Sequence, residues 1–158
     1  VTVDTAEFVE RATKKIPGMA GVKYTNPDRD QLRAILEMNG YAPDMLFGCD
    51  EELLDGLRIG CRGAVGSSYN FSAPLYRRII SSFDEGDTEA AQRDQARSAE
   101  MIRTIAKYNY TTAAKSVMAM VGVDCGPARP PLCTLSQESI GNLKLDLEKI
   151  GFFDWVNS

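Results

Sequence analysis

Apolar positions in the first half of the chain alternate between helical and strand spacing. Behind Asp4, Val9, Ala12 and Ile16 share one helical face, Glu7 completes a helix-start pattern, and Pro17-Gly18 stops the run. Ala20 to Thr25 reads as a short strand. Asn26-Pro27-Asp28 then opens a helix with Leu32, Ile35 and Leu36 inward, closed at Asn39-Gly40. The same order repeats: a strand over 44–48, a helix over 51–59 carrying Leu53, Leu54 and Leu57, and a strand over 63–67. A helix opening at Ser72-Ala73-Pro74 follows, with Leu75, Ile79, Ile80 and Phe83 inward. Short strands separated by helices of this length predict parallel βα units.

After Glu85-Gly86-Asp87 only helical spacing remains, over 88–108, 111–121 and 136–150. Pro127, Pro130 and Pro131 exclude regular structure between Cys125 and Cys133, and the aromatic tail Phe152, Phe153 and Trp155 is expected to dock. The expected division is therefore 1–86, the βα part, and 87–158, a helical extension. Three parallel strands are too few to close a barrel of about eight. An open three-stranded sheet leaves two edges unpaired. The chain is expected to be the later part of something larger, or a unit that needs a partner.

Composition narrows the possibilities. With 18 basic and 22 acidic residues the net charge is -4, so no basic surplus exists for nucleic acid or an anionic membrane. No apolar run reaches the length of a membrane span, and the first residues show no basic-then-apolar signal. The four cysteines, Cys49, Cys61, Cys125 and Cys133, lack zinc-site spacing, and the chain has no histidine. Reduced, buried thiols and a cytoplasmic location are the expectation. Histidine-dependent nucleophiles are excluded, which leaves acid–base work to lysine, tyrosine, carboxylates or the substrate.

Against this background Lys23 stands out. It follows Ala20-Gly21-Val22 in a strand that reads as buried, where an ammonium is costly unless it is paired or its pKa falls. A neutral lysine amine forms Schiff bases with carbonyl compounds. In parallel βα proteins functional groups gather at the C-terminal ends of the strands. The first end delivers Lys23 and Thr25 on one face; the second, Gly48-Cys49-Asp50-Glu51, brings two carboxylates; the third, Gly66-Ser67-Ser68-Tyr69-Asn70, brings glycine and hydroxyls. An amine, two carboxylates and several hydroxyls on one rim suit a polyhydroxylated keto acid. Each feature also has a plainer reading. Lys23 can snorkel or pair, Asp50-Glu51 can cap the following helix, and Gly66-Ser67-Ser68 can be a tight turn or a phosphate nest.

Gly21-Val22-Lys23-Tyr24-Thr25, Leu46 to Glu51 and Gly63 to Asn70 together resemble the N-acetylneuraminate lyase family. This family belongs to the pyruvate-dependent class I aldolases, with dihydrodipicolinate synthase. Asp50-Glu51 and the run from Gly66 to Asn70 resemble the sialic-acid-cleaving branch. The resemblance implies the C-terminal half of an α/β TIM (β/α)8 barrel followed by a helical extension. It implies Lys23 as the Schiff-base lysine, with Thr25, Gly48, Asp50, Glu51 and Ser67 holding the sugar part and Gly66 contributing backbone beside them. The implied reaction is reversible retro-aldol cleavage of N-acetylneuraminate to N-acetylmannosamine and pyruvate, with no metal or organic cofactor. The family's acid–base tyrosine and its Gly-Ser-Thr carboxylate loop have no match in these residues; both are implied to lie upstream of Val1. Tyr24 is expected to point away from Lys23. Two other readings are a sister aldolase for another 2-keto sugar acid and a non-catalytic half barrel that self-associates. The expected partners are thus the sugar acid, pyruvate, and further copies of the chain or a complementing N-terminal half.

Overall fold

A computed structural model describes residues 3–38 and 44–156. The described elements run α1 (Thr5–Lys15), β1 (Gly21–Tyr24), α2 (Arg29–Leu36), β2 (Asp44–Phe47), a 3-10 turn (Asp50–Glu52), α3 (Leu53–Ile59) and β3 (Gly63–Ala64). Helices α4 (Tyr69–Asp84), α5 (Thr88–Ala106), α6 (Tyr110–Met120), α7 (Gln137–Lys149) and α8 (Phe152–Trp155) follow. They form two compact units, Val1–Gly66 and Ser67–Ser158.

In the first unit, Asp4 Oδ1 accepts the Glu7 amide at 3.0 Å to start α1, and Asp28 Oδ1 accepts that of Gln31 at 2.9 Å to start α2. The expected close of α2 at Asn39-Gly40 lies outside the described residues. The three strands are parallel in the order β1-β2-β3, with Lys23 opposite Leu46 and Leu46 opposite Gly63. Strand alternation sends Tyr24, Met45 and Phe47 to the helix side, where they pack with Val9, Leu32, Ile35 and Cys61. The third strand is shorter than expected. Beyond Ala64 its pairing continues only through the Val65 amide, which donates to the Phe47 carbonyl at 2.9 Å. Ile16, expected on the buried face of α1, is 53% exposed. It follows the last turn of the helix with extended backbone and leaves the apolar stripe.

Gly56 lets α3 approach the sheet. A Cβ there would lie 2.7 and 2.8 Å from carbons of the Phe47 ring. Helix propensity favours alanine by about 1 kcal/mol, but overpacking a fully buried ring costs about 1–3 kcal/mol. Gly56→Ala is expected to lower stability by up to about 2 kcal/mol in urea unfolding, despite occupying a helix interior.

Burial, then the neighbouring Asp28 carboxylate, raises the Tyr24 phenol above its ordinary value; burial raises the Cys61 thiol. Both groups are neutral in the folded state, so their stabilisation is fully present below the pKa of the unfolded groups. It is lost as pH rises through the raised folded values. Thermal midpoints are therefore expected to fall as pH climbs through the thiol and phenol ranges, and Tyr24→Phe should flatten the later part of that fall.

The second unit is helical. Leu75, Ile79, Met101, Ile105, Val117, Leu143, Leu147 and Phe152 are fully buried within it. Ser72, at φ -143° and ψ 31°, breaks α4 after its first turn, so the regular helix resumes with Pro74 in its opening turn. Asp94 accepts Arg78 Nε at 2.9 Å and Arg97 Nη1 at 2.7 Å, and Arg78 Nη2 donates to the Trp155 carbonyl at 3.1 Å. That network ties the aromatic tail to α4 and α5. The tail is itself a short helix in which Phe152 stacks edge-on with Phe153 and Trp155.

Candidate active site

Lys23 is not buried. Val22 and Tyr24 face the helix layer, while Gly21 and Lys23 occupy the opposite, exposed face of β1. The sequence expectation of an ammonium desolvated by its own strand is thus corrected: alternation alone moves Lys23 off the core side. Tyr24 lies on the other face, 2% exposed, and its hydroxyl donates to the Asp28 carbonyl at 2.5 Å.

Lys23, Thr25 and Gly48 come together at the C-terminal end of β1. Gly48 donates its amide to the Tyr24 carbonyl at 2.8 Å. A Cβ on Gly48 would overlap the Thr25 hydroxyl and lie 2.9 Å from Lys23 Cε. The lysine stem and the threonine hydroxyl therefore pass directly over a glycine, which is the only residue that leaves them room.

Asp50 and Gly66 form a second close pair. The Asp50 carboxylate fills the space that a side chain at residue 66 would need, and Asp50 is 5% exposed. Glu51, the next residue in the 3-10 turn, is exposed. The two carboxylates expected side by side on the rim thus differ sharply in environment, because the tight turn sends consecutive side chains in different directions. Behind them Arg29 pairs with Glu52, and its guanidinium lies 4.8 Å from the centre of the Phe47 ring.

Ser67 belongs to the second unit. Its exposed hydroxyl donates to Tyr110 Oη at 3.0 Å, and Asn70 Nδ2 donates to its carbonyl at 2.9 Å. Tyr110 escaped the sequence reading because it opens a helix 43 residues downstream. One local signal is Asn109 immediately before it, at φ 63°, a left-handed conformation that asparagine tolerates better than most residues.

Among the described residues no group of three or more potential ligands is placed to hold a metal ion, and no helix is long and apolar enough to cross a membrane. All four thiols are free, but only Cys61 is buried. Cys125 and Cys133 are exposed, contrary to expectation, because the proline-containing loop that carries them stays outside the helical core.

Residues 3–150 match the Dihydrodipicolinate synthetase family. The chain belongs to this family. N-acetylneuraminate lyase of Gallus gallus is 32% identical over 95% of this chain and 50% of its own length. The rat enzyme of the same name is 29% identical over 98% of the chain and 49% of its own length. The solved structure of Proteus mirabilis N-acetylneuraminate lyase superposes with a TM-score of 0.89 at 32% identity, covering 96% of this chain and 51% of that one. The chain therefore spans about half the length of the curated relatives it matches. Within the Dihydrodipicolinate synthetase family, its three parallel strands and their helices correspond to half of a TIM barrel.

Proposed function

We propose that this chain is the lysine-bearing half of an N-acetylneuraminate-cleaving class I aldolase. The observation that carries the reading is the convergence of Lys23 Cε and the Thr25 hydroxyl over Gly48 at a strand's C-terminal end. This is where parallel βα folds keep their chemistry. The names of its relatives support the substrate class.

The Lys23 amine adds to the keto carbon of the sugar acid, and loss of water leaves a protonated imine. Removing the proton of the hydroxyl on the fourth carbon breaks the bond between the third and fourth carbons. The bonding electrons flow into the imine, releasing N-acetylmannosamine and leaving an enamine on Lys23. Protonation of its terminal carbon and hydrolysis of the imine return pyruvate and free lysine. Thr25, Asp50, Glu51 and Ser67 hold the sugar hydroxyls in this reading, and Gly48 and Gly66 let the backbone approach. The proton-transfer group comes from the other half of the barrel, which also covers the exposed face of β1 and lowers the dielectric around Lys23.

The test is pyruvate release from N-acetylneuraminate by the chain alone and with the earlier half of the Proteus mirabilis enzyme added as a separate polypeptide. Pyruvate formed in the mixture is the expected result. Cleavage of a different 2-keto sugar acid in its place would assign the chain to a sister activity. No cleavage of either overturns the enzymatic reading.

One observation favours a second, non-catalytic reading. Among the described residues β1 pairs only with β2, and Val3, Phe8 and Ile16 are 59%, 48% and 53% exposed. Such a surface drives self-association. A half barrel that only self-associates would run as an oligomer in light scattering and trap no pyruvate.

A further inference from the structure

Ser67 and Ser68 are neighbours in sequence with opposite surroundings. Ser67 is exposed and bonded to Tyr110, whereas Ser68 is fully buried. The Ser68 hydroxyl shares a 2.5 Å hydrogen bond with Tyr76 Oη, which shares a second one of 2.8 Å with the Ser98 hydroxyl on α5. Tyr76 is 4% exposed and Ser98 is fully buried. The Ser68 carbonyl is held as tightly. It accepts the Ser72 hydroxyl at 2.7 Å and the Phe71 and Ser72 amides at 3.2 and 3.0 Å. Buried hydroxyls add little net stability over apolar groups of the same shape, so packing alone does not call for this chain. What a satisfied polar network in a core does supply is a single conformation.

We infer that Tyr76 and Ser98 are positioning residues for Ser67: they anchor Ser68 from below and so fix the direction in which the preceding hydroxyl meets Tyr110. The inference rests on the reading of Ser67 as a contact for the sugar acid. Tyr76→Phe keeps the ring, which packs edge-on against Tyr69 at 4.1 Å, and removes only the relay. The double variant Tyr76→Phe/Ser98→Ala also removes the Ser98 hydroxyl, so an effect shared by both variants traces to the lost bond at Ser68 and not to Ser98 having lost its bond to Tyr76.

The experiment is hydrogen exchange by mass spectrometry, with and without N-acetylneuraminate, on the chain and both variants. In the variants, amides of residues 67–72 are expected to exchange at least about tenfold faster while those of α6 and α7 are unchanged. N-acetylneuraminate is expected to slow residues 67–72 in the parent chain and to lose that effect in the variants. Unchanged exchange at 67–72, or an equal rise across the whole second unit, overturns the positioning role; a parent chain that the sugar acid does not protect overturns instead the reading of Ser67 as its contact. Borohydride trapping of pyruvate on Lys23, run alongside with the earlier half of the Proteus mirabilis enzyme added, is expected to be the same in all three proteins. Its absence from all of them counts against the lyase reading and leaves the exchange at 67–72 to judge the relay.

Discussion

Lys23→Arg is expected to abolish pyruvate trapping and to lower cleavage of N-acetylneuraminate in the completed barrel by about four orders of magnitude or more, the scale seen when a covalent nucleophile is removed. Arginine keeps the positive charge and much of the stem but stays protonated and forms no imine. Because Lys23 is exposed and outside the helix-side core, unfolding free energy is expected to change by less than about 0.5 kcal/mol. Loss of chemistry without loss of fold separates a nucleophile from a structural lysine. A variant that still traps pyruvate would move the imine to another amine. Mass spectrometry after reduction, paired with thermal unfolding, reads both quantities.

Gly66→Ala carries the second large effect. The Asp50 carboxylate already occupies the position of the new methyl group, and Asp50 is nearly enclosed, so neither can move without disturbing the turn after β2. The expected cost is about 1–3 kcal/mol of stability, the usual penalty for overpacking. It comes with a weakened grip on the sugar acid, because the displaced carboxylate is one of the proposed contacts. A double-mutant cycle with Asp50→Ala isolates the cause. If the overlap is responsible, the alanine at 50 relieves the clash, and the pair is expected to be less destabilised than the sum by about 0.5–3 kcal/mol. Additive effects would mean that Gly66 is needed for some other reason.

Much of the first unit was legible in the sequence because its signals are local. Capping by Asp4, the helix opening at Asn26-Pro27-Asp28, the stop at Pro17-Gly18 and the alternation that turns Tyr24 away from Lys23 each act within a few residues, and each has its counterpart in the structure. Even the opening of the regular part of α4 near Pro74 was readable, although the turn before it was not, since Ser72 interrupts the helix through backbone angles no residue type dictates. The site was legible in its parts and less so in its environment. The Ala20-Gly21-Val22 run before it marked Lys23 as costly in a core, but which face of a four-residue strand is covered depends on what packs there, and the helices cover the other one. Asp50 and Glu51 looked equivalent side by side; the 3-10 turn buries the first and exposes the second. Tyr76, Ser98 and Tyr110 reach the Ser67-Ser68 turn from sequence distances of 8 to 43 residues; nothing in the local pattern of Tyr76 and Ser98 distinguishes them from ordinary helix residues, and Tyr110 is marked only by the asparagine before it.

The central claim is that Lys23 is the amine that takes the keto carbon. The most direct measurement is reduction with borohydride in the presence of pyruvate, in the chain supplemented with the earlier half of a family barrel, followed by peptide mapping. A single adduct on the peptide containing Lys23, lost in Lys23→Arg, is the expected result. An adduct spread over several surface lysines, or none while full-length Proteus mirabilis enzyme reacts alongside, would contradict it.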